Sequence, residues 1–97
     1  MATYIALTHF TDQGMRSIKE TTKRAEAVKT AAGKFGASVK EIYWTLGQYD
    51  MVVVIDASDE MAATAFALTI GAAGNTRSQT LRAFPSEEMQ AILGKVG

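Results

Sequence analysis

The chain contains no cysteine. Disulfides, thiolate nucleophiles and cysteine-based zinc or iron–sulfur sites are excluded together. It has a single histidine, His9, and no carboxylate sits at ligand spacing beside it, so no metal site is expected. It has no charge excess. Ten basic and ten acidic residues give a formal net charge of zero, and nothing favours a phosphate backbone as partner. No apolar run approaches the roughly 20 residues that span a bilayer. The N-terminal Met1-Ala2-Thr3-Tyr4-Ile5-Ala6-Leu7 lacks a basic leader and turns polar at Thr8, unlike a signal peptide. The expectation is a cytoplasmic protein that binds neither nucleic acid nor membrane. Glycine-rich phosphate loops, a Gly-x-Ser-x-Gly elbow and paired histidines are all missing, so no known catalytic constellation is present.

What the chain does have is 47% hydrophobic residues over 97 positions, enough for one globular domain spanning residues 1–97. Its most informative stretch runs from Tyr43 to Asp56, where two β-prone segments flank Gly47-Gln48-Tyr49-Asp50. β-branched and aromatic residues fit a pleated surface, and Gly47 supplies the backbone freedom of a tight reversal, so the stretch predicts a β-hairpin. Around it, Tyr4 to His9 reads as a first strand, Val39 to Leu46 as the second and Met51 to Ala57 as the third. Thr76 to Phe84 is the fourth, stopped by Pro85. Thr11 or Asp12 caps a first helix from Met15 to Phe35, with Met15, Ile18, Thr22, Ala25, Val28, Ala32 and Phe35 as its apolar stripe. Gly36 is placed for a left-handed cap. Ser58 caps a second, alanine-rich helix packed through Ala62, Ala65, Phe66, Thr69 and Ala73. Ser86 to Leu93 forms a short last helix.

The order βαββαβ plus a C-terminal helix is the α+β ferredoxin-like pattern. Right-handed crossovers give an antiparallel sheet of order 4-1-3-2 with both long helices on one face. The third strand is apolar at nearly every position, and Ile5 and Leu7 alternate against Tyr4, Ala6, Thr8 and Phe10. A lone subunit would therefore leave an apolar sheet face in water. A second copy, sheet against sheet, makes a dimeric α/β barrel. The competing arrangement folds the terminal helix over that face.

Topology also gathers scattered polar residues. The end of the first strand and the starts of the third and fourth converge, bringing together His9, Thr11, Asp12, Gln48, Tyr49, Asp50, Asn75 and Arg77. Loops on a rigid sheet are where sites lie. His9, Asp50 and Arg77 are the candidate catalytic groups, with His9 or Asp50 as base and Arg77 or Asn75 stabilising an enolate-like charge. Tyr49, Asp50, Asn75, Arg77 and Trp44 are the candidate ligand-binding groups. Each has a structural alternative: a staple for Asp50, a left-handed cap for Asn75, packing for Trp44. Ser78, Thr80 and Arg82 share one face of the fourth strand and predict a polar row inside a barrel, whereas Arg77 faces the other way.

The pieces Tyr43-Trp44-Thr45-Leu46-Gly47-Gln48-Tyr49-Asp50, Asp56-Ala57, Phe66-Ala67-Leu68, Gly74-Asn75-Thr76-Arg77 and Thr80-Leu81-Arg82-Ala83-Phe84 together resemble the GYD-domain family of small bacterial and archaeal proteins. The namesake motif corresponds to Gly47, Tyr49 and Asp50 with Gln48 interposed. Ser58 stands where the family usually has proline. The resemblance implies a ferredoxin-like fold and kinship with dimeric α/β barrel proteins, a group that includes cofactor-free monooxygenases, muconolactone-type isomerases and haem enzymes. Such kinship does not carry an activity. Haem would need His9 as its axial ligand, so no cofactor is expected. The residues favour a homo-oligomer that binds a small molecule near the Gly-Gln-Tyr-Asp turn. Its rivals are a cofactor-independent oxygenase or isomerase and a structural assembly module.

Overall fold

The computed structural model describes residues 1–97. Strands β1 (Ala2–Phe10), β2 (Ala37–Trp44), β3 (Met51–Ala57) and β4 (Thr76–Ala83) form one sheet. Its order is β2-β3-β1-β4 with every pair antiparallel, which is 4-1-3-2 read from the other edge. Helices α1 (Asp12–Arg16) and α2 (Thr21–Ala32) join β1 to β2. Helix α3 (Glu60–Ala72) joins β3 to β4, and α4 (Ser86–Leu93) follows β4. The fold is α+β and ferredoxin-like, as its hydrophobic patterning implies.

The first helical segment is not continuous as expected. Thr11 caps α1, its side chain accepting from the Gly14 amide at 3.1 Å. The chain then breaks at Ser17, which leaves the helical region with φ −114° and ψ 34°. The Arg24 guanidinium holds the break open by donating to the Ser17 carbonyl at 2.7 Å and the Gly14 carbonyl at 3.3 Å. The packing stripe accordingly begins with Thr21 and continues through Ala25, Val28, Ala32 and Phe35, while Met15 and Thr22 are exposed. Gly36 ends the segment at φ 70°, the left-handed cap its position predicts.

Helix α3 differs from expectation in two details. Asp59, not Ser58, is the cap, its carboxylate accepting from the Ala62 amide at 2.8 Å. The buried stripe is Ala63 and Phe66 flanked by Ala62 and Ile70, so Ala65, Thr69 and Ala73 look outward. Single-sequence patterning slips here because α3 is apolar on every side and offers no polar face to fix its rotation. Strand β2 starts earlier than expected and has a bulge between Val39 and Glu41, which puts both Val39 and Ile42 on the helix side.

The interior is thin. Only 11 of 97 residues are buried, and six of them are the alanines Ala6, Ala25, Ala32, Ala37, Ala57 and Ala63. Tyr4 and Phe66 are the large members, with Phe35 tilted against Phe66 at 5.6 Å between centroids. The radius of gyration is 14.5 Å, against ~12.5 Å for a compact chain of this length. Helix α4 adds little to the core. Glu88 ties it at 3.3 Å to Arg82, a residue on the helix-side row of β4, so it does not roof the opposite face.

Gly14 locks α1 to the β4 entry. A Cβ there would stand 2.2 Å from the Asn75 carbonyl oxygen, backbone that cannot step aside. Gly14→Ala is expected to lower stability by at least ~2 kcal/mol in urea denaturation.

Candidate functional site

The strand registers bring the expected loop-end residues together. Thr8 pairs with Met51, His9 with Arg77 and Phe10 with Thr76. His9 and Arg77 therefore stand on the same face of the sheet, the one away from the helices. The His9 ring lies 4.8 Å from the Tyr49 ring, and the Tyr49 hydroxyl donates to Gln79 at 3.4 Å. His9, Tyr49 and Gln79 make one polar corner of that face, with Arg77 beside His9 in register.

The remaining candidates are spent on structure. Asp50 staples the turn to β1: its carboxylate accepts from the Phe10 amide at 2.9 Å, and its own amide donates to the Thr8 carbonyl at 2.8 Å. The turn is closed by the Thr45 amide donating to the Asp50 carbonyl and the Thr45 hydroxyl donating to that of Tyr49. Asp50 forms no ion pair with Arg77. That guanidinium donates to the carbonyls of Gly71 and Thr76, both at 3.1 Å. Asn75 is not the left-handed cap; Gly74 takes that conformation at φ 88°. The Asn75 side chain instead accepts from Gln13 at 3.0 Å. Trp44 is on the helix side, donating to Thr21 at 3.0 Å. Asp56 belongs to the sheet, accepting from Thr3 at 3.0 Å and pairing with Lys40 at 3.7 Å.

The face that carries His9 is otherwise apolar. Ile5, Leu7, Val52 and Val54 form its centre, and Leu81 beside them is 39% exposed. No helix of the chain covers it. Tyr43 and Glu41 stand at its β2 edge, where the carboxylate accepts the phenol's hydrogen bond and, together with its charge, raises the Tyr43 pKa above the ordinary 10.0. No group of three or more histidines and carboxylates is arranged to hold a metal ion.

A second feature escapes the loop-centred reading. Between the sheet and the two long helices lies a largely apolar cavity of about 110 Å³. It follows Tyr4, Ala6, Thr8 and Phe10 along β1 and is bordered on the helix side by Ala25 and Ala63. Of the expected row of Ser78, Thr80 and Arg82, which does share the helix-side face of β4, Ser78 and Thr80 border this cavity and Arg82 does not. The cavity's signal in the sequence is the run of small residues that face one another from β1, α2 and α3.

If Asp50 is a staple, Asp50→Ala leaves the Phe10 amide without its charged acceptor and costs ~2 kcal/mol in urea denaturation. Asp50→Asn, which keeps an acceptor oxygen, recovers most of that loss.

Comparison with known proteins places this architecture. The pattern of the GYD domain matches residues 4–93. A Thermus thermophilus protein named glutamine synthetase and cystathionine beta-lyase binding protein is 31% identical over 94 residues, covering 96% of this chain and 99% of its own. The crystal structure of TTHA0845, also from Thermus thermophilus, superposes with a TM-score of 0.58 over 89% of this chain and 96% of its own, at 23% identity. The fold, the turn motif and these matches agree: this chain is a member of the GYD-domain family.

Proposed function

We propose that the protein is a self-associating binding protein. Two copies close their open sheet faces on one another, and the pair offers its outer helices to a protein partner. The observation that carries this reading is the uncovered face of Ile5, Leu7, Val52, Val54 and Leu81. Contiguous apolar surface of this kind marks an interface in proteins that are otherwise well behaved. A second copy is the natural cover because a two-fold pair buries the same face on both chains and the C-terminal helix lies off it.

The outer side of α3 supports the partner half of the proposal. After Glu60 the helix has no charged residue, and Met61, Ala65, Leu68 and Ala72 repeat at helical spacing on its exposed side. Met61 is 82% and Leu68 69% exposed. Helix α2 is the opposite case, its outer side carrying the ion pairs Lys23–Glu20 and Lys29–Glu26. The relative's name, which describes a protein that binds two enzymes, agrees with an apolar outer helix made for a protein surface.

A second reading keeps a small-molecule site near the Gly-Gln-Tyr-Asp turn. His9, Tyr49, Arg77 and Gln79 lie on the face that the second copy would roof, so this pocket is completed only by pairing. The oxygenase or isomerase version asks for a base and a cationic donor aimed at one atom. In the single chain Arg77 is turned to the Gly71 and Thr76 carbonyls, which favours binding over chemistry.

Light scattering behind a sizing column tests self-association. The protein is expected at twice the 10.4 kDa chain mass, and Val54→Lys, which sets like charges opposite each other, at the single-chain mass with its circular dichroism kept. A single-chain mass for the unaltered protein overturns the reading. Leu68→Lys is expected to leave the dimer intact and to abolish binding to purified glutamine synthetase or cystathionine β-lyase.

A further inference from the structure

We infer that His9 makes the pairing of two copies sensitive to pH: with its ring neutral the two sheet faces close on each other, and with its ring protonated they part. The inference rests on the self-association proposed above and adds the regulation of that same face.

The position of His9 in β1 sets its role. It continues the alternation of Ile5 and Leu7, so its side chain leaves the sheet on their side, the side that pairs. It is the chain's one histidine, and histidine is the side chain that ordinarily changes charge between pH 5 and 8. In a single subunit the residue is exposed, so water solvates the protonated ring. In the pair the same ring lies beside the apolar centre of Ile5, Leu7, Val52 and Val54, under a second copy. A charge taken out of water there is costly unless an opposite charge meets it.

The groups around His9 do not meet it with an opposite charge. From β4, Arg77 stands directly opposite in register, and like charges facing each other across an antiparallel pair are destabilising. From the turn, Tyr49 packs its ring at 4.8 Å and passes its hydroxyl to the neutral Gln79. The turn's carboxylate, Asp50, accepts from the Phe10 amide. From α1 comes Asp12, which is exposed. His9 forms an ion pair with neither. The other acids of the open face lie further along the strands: Glu41, opposite Val54, holds the Tyr43 phenol, and Asp56, opposite Thr3, holds Lys40. Protonation therefore sets a second cation next to Arg77 on the pairing face, once in each copy. The sign follows: the pair binds fewer protons than two separate chains, so its stability is complete with His9 neutral and is lost as the pH falls.

Sedimentation equilibrium at pH 7.5 and pH 5.5, at one salt concentration, reads the dissociation constant of the pair. Carboxylates ordinarily titrate below this window and tyrosine and lysine above it. The constant is expected to rise about tenfold or more between the two pH values, with the circular dichroism of the chain kept. His9→Gln, neutral at both, is expected to pair at pH 5.5 as tightly as at pH 7.5. His9→Lys, charged at both, is expected to pair weakly at both. Equal or tighter pairing of the unaltered protein at pH 5.5, or a pH response that survives in His9→Gln, overturns the inference and leaves self-association standing. A single-chain mass for the unaltered protein at pH 7.5 overturns self-association and this regulation together.

Discussion

The constraint on which everything else depends is the shortage of side-chain volume between the sheet and its helices. Burial of apolar surface is the main favourable term in folding, at about 25 cal/mol for each Å², and alanine contributes little of it. Here six of the eleven buried residues are alanine. The helices sit close to the sheet yet take only one of its faces out of water. The other face has the same apolar strands, β1 and β3, and nothing from the chain to cover it. A domain of this size is already marginal in its surface-to-volume ratio, and the second copy we propose would supply the missing burial.

The polar groups of the loop end are organised around that economy. Asp50 and Thr45 tie the turn shut, Gln13 and Thr11 tie α1 to the segment before β4, and Gly14 permits the close approach of the two. These contacts make the end of the sheet rigid without a large core beneath it. The family's turn motif is in this light chiefly architectural: Gly47 adopts φ 129°, Tyr49 stacks on His9, and Asp50 holds β1. What remains unspent is the His9 edge of the open face and the lone hydroxyl of Tyr4 beneath the helices.

Much of the fold was legible in the sequence because its signals are local. The alternation of Tyr4, Ala6 and Thr8 against Ile5 and Leu7 sets the two faces of β1, and the apolar run from Met51 to Ala57 marks a central strand. The crossover rule then fixes the sheet order. The misses have physical causes. Arg24 breaks the first helix from seven residues downstream, a tertiary contact invisible to periodicity. Helix α3, apolar all round, gave no rotation. For the site, topology predicted the gathering of His9, Tyr49 and Arg77 but not where the hydrogen bonds go: the Asp50 carboxylate is taken by the β1 backbone and the Asn75 amide by the Gln13 side chain. The cavity was missed because an absence of volume leaves no motif, only small residues at distant positions.

Mass action gives the most direct test of the claim that one subunit is incomplete. If folding and pairing are linked, the thermal midpoint rises with protein concentration, because the partner copy acts as a ligand of the folded state. Calorimetric or fluorescence melts from nanomolar to hundreds of micromolar are expected to show the midpoint climbing steadily. A midpoint that stays constant across that range, with a cooperative transition at the lowest concentration, would mean that a single subunit is stable with its sheet face bare and would contradict the account.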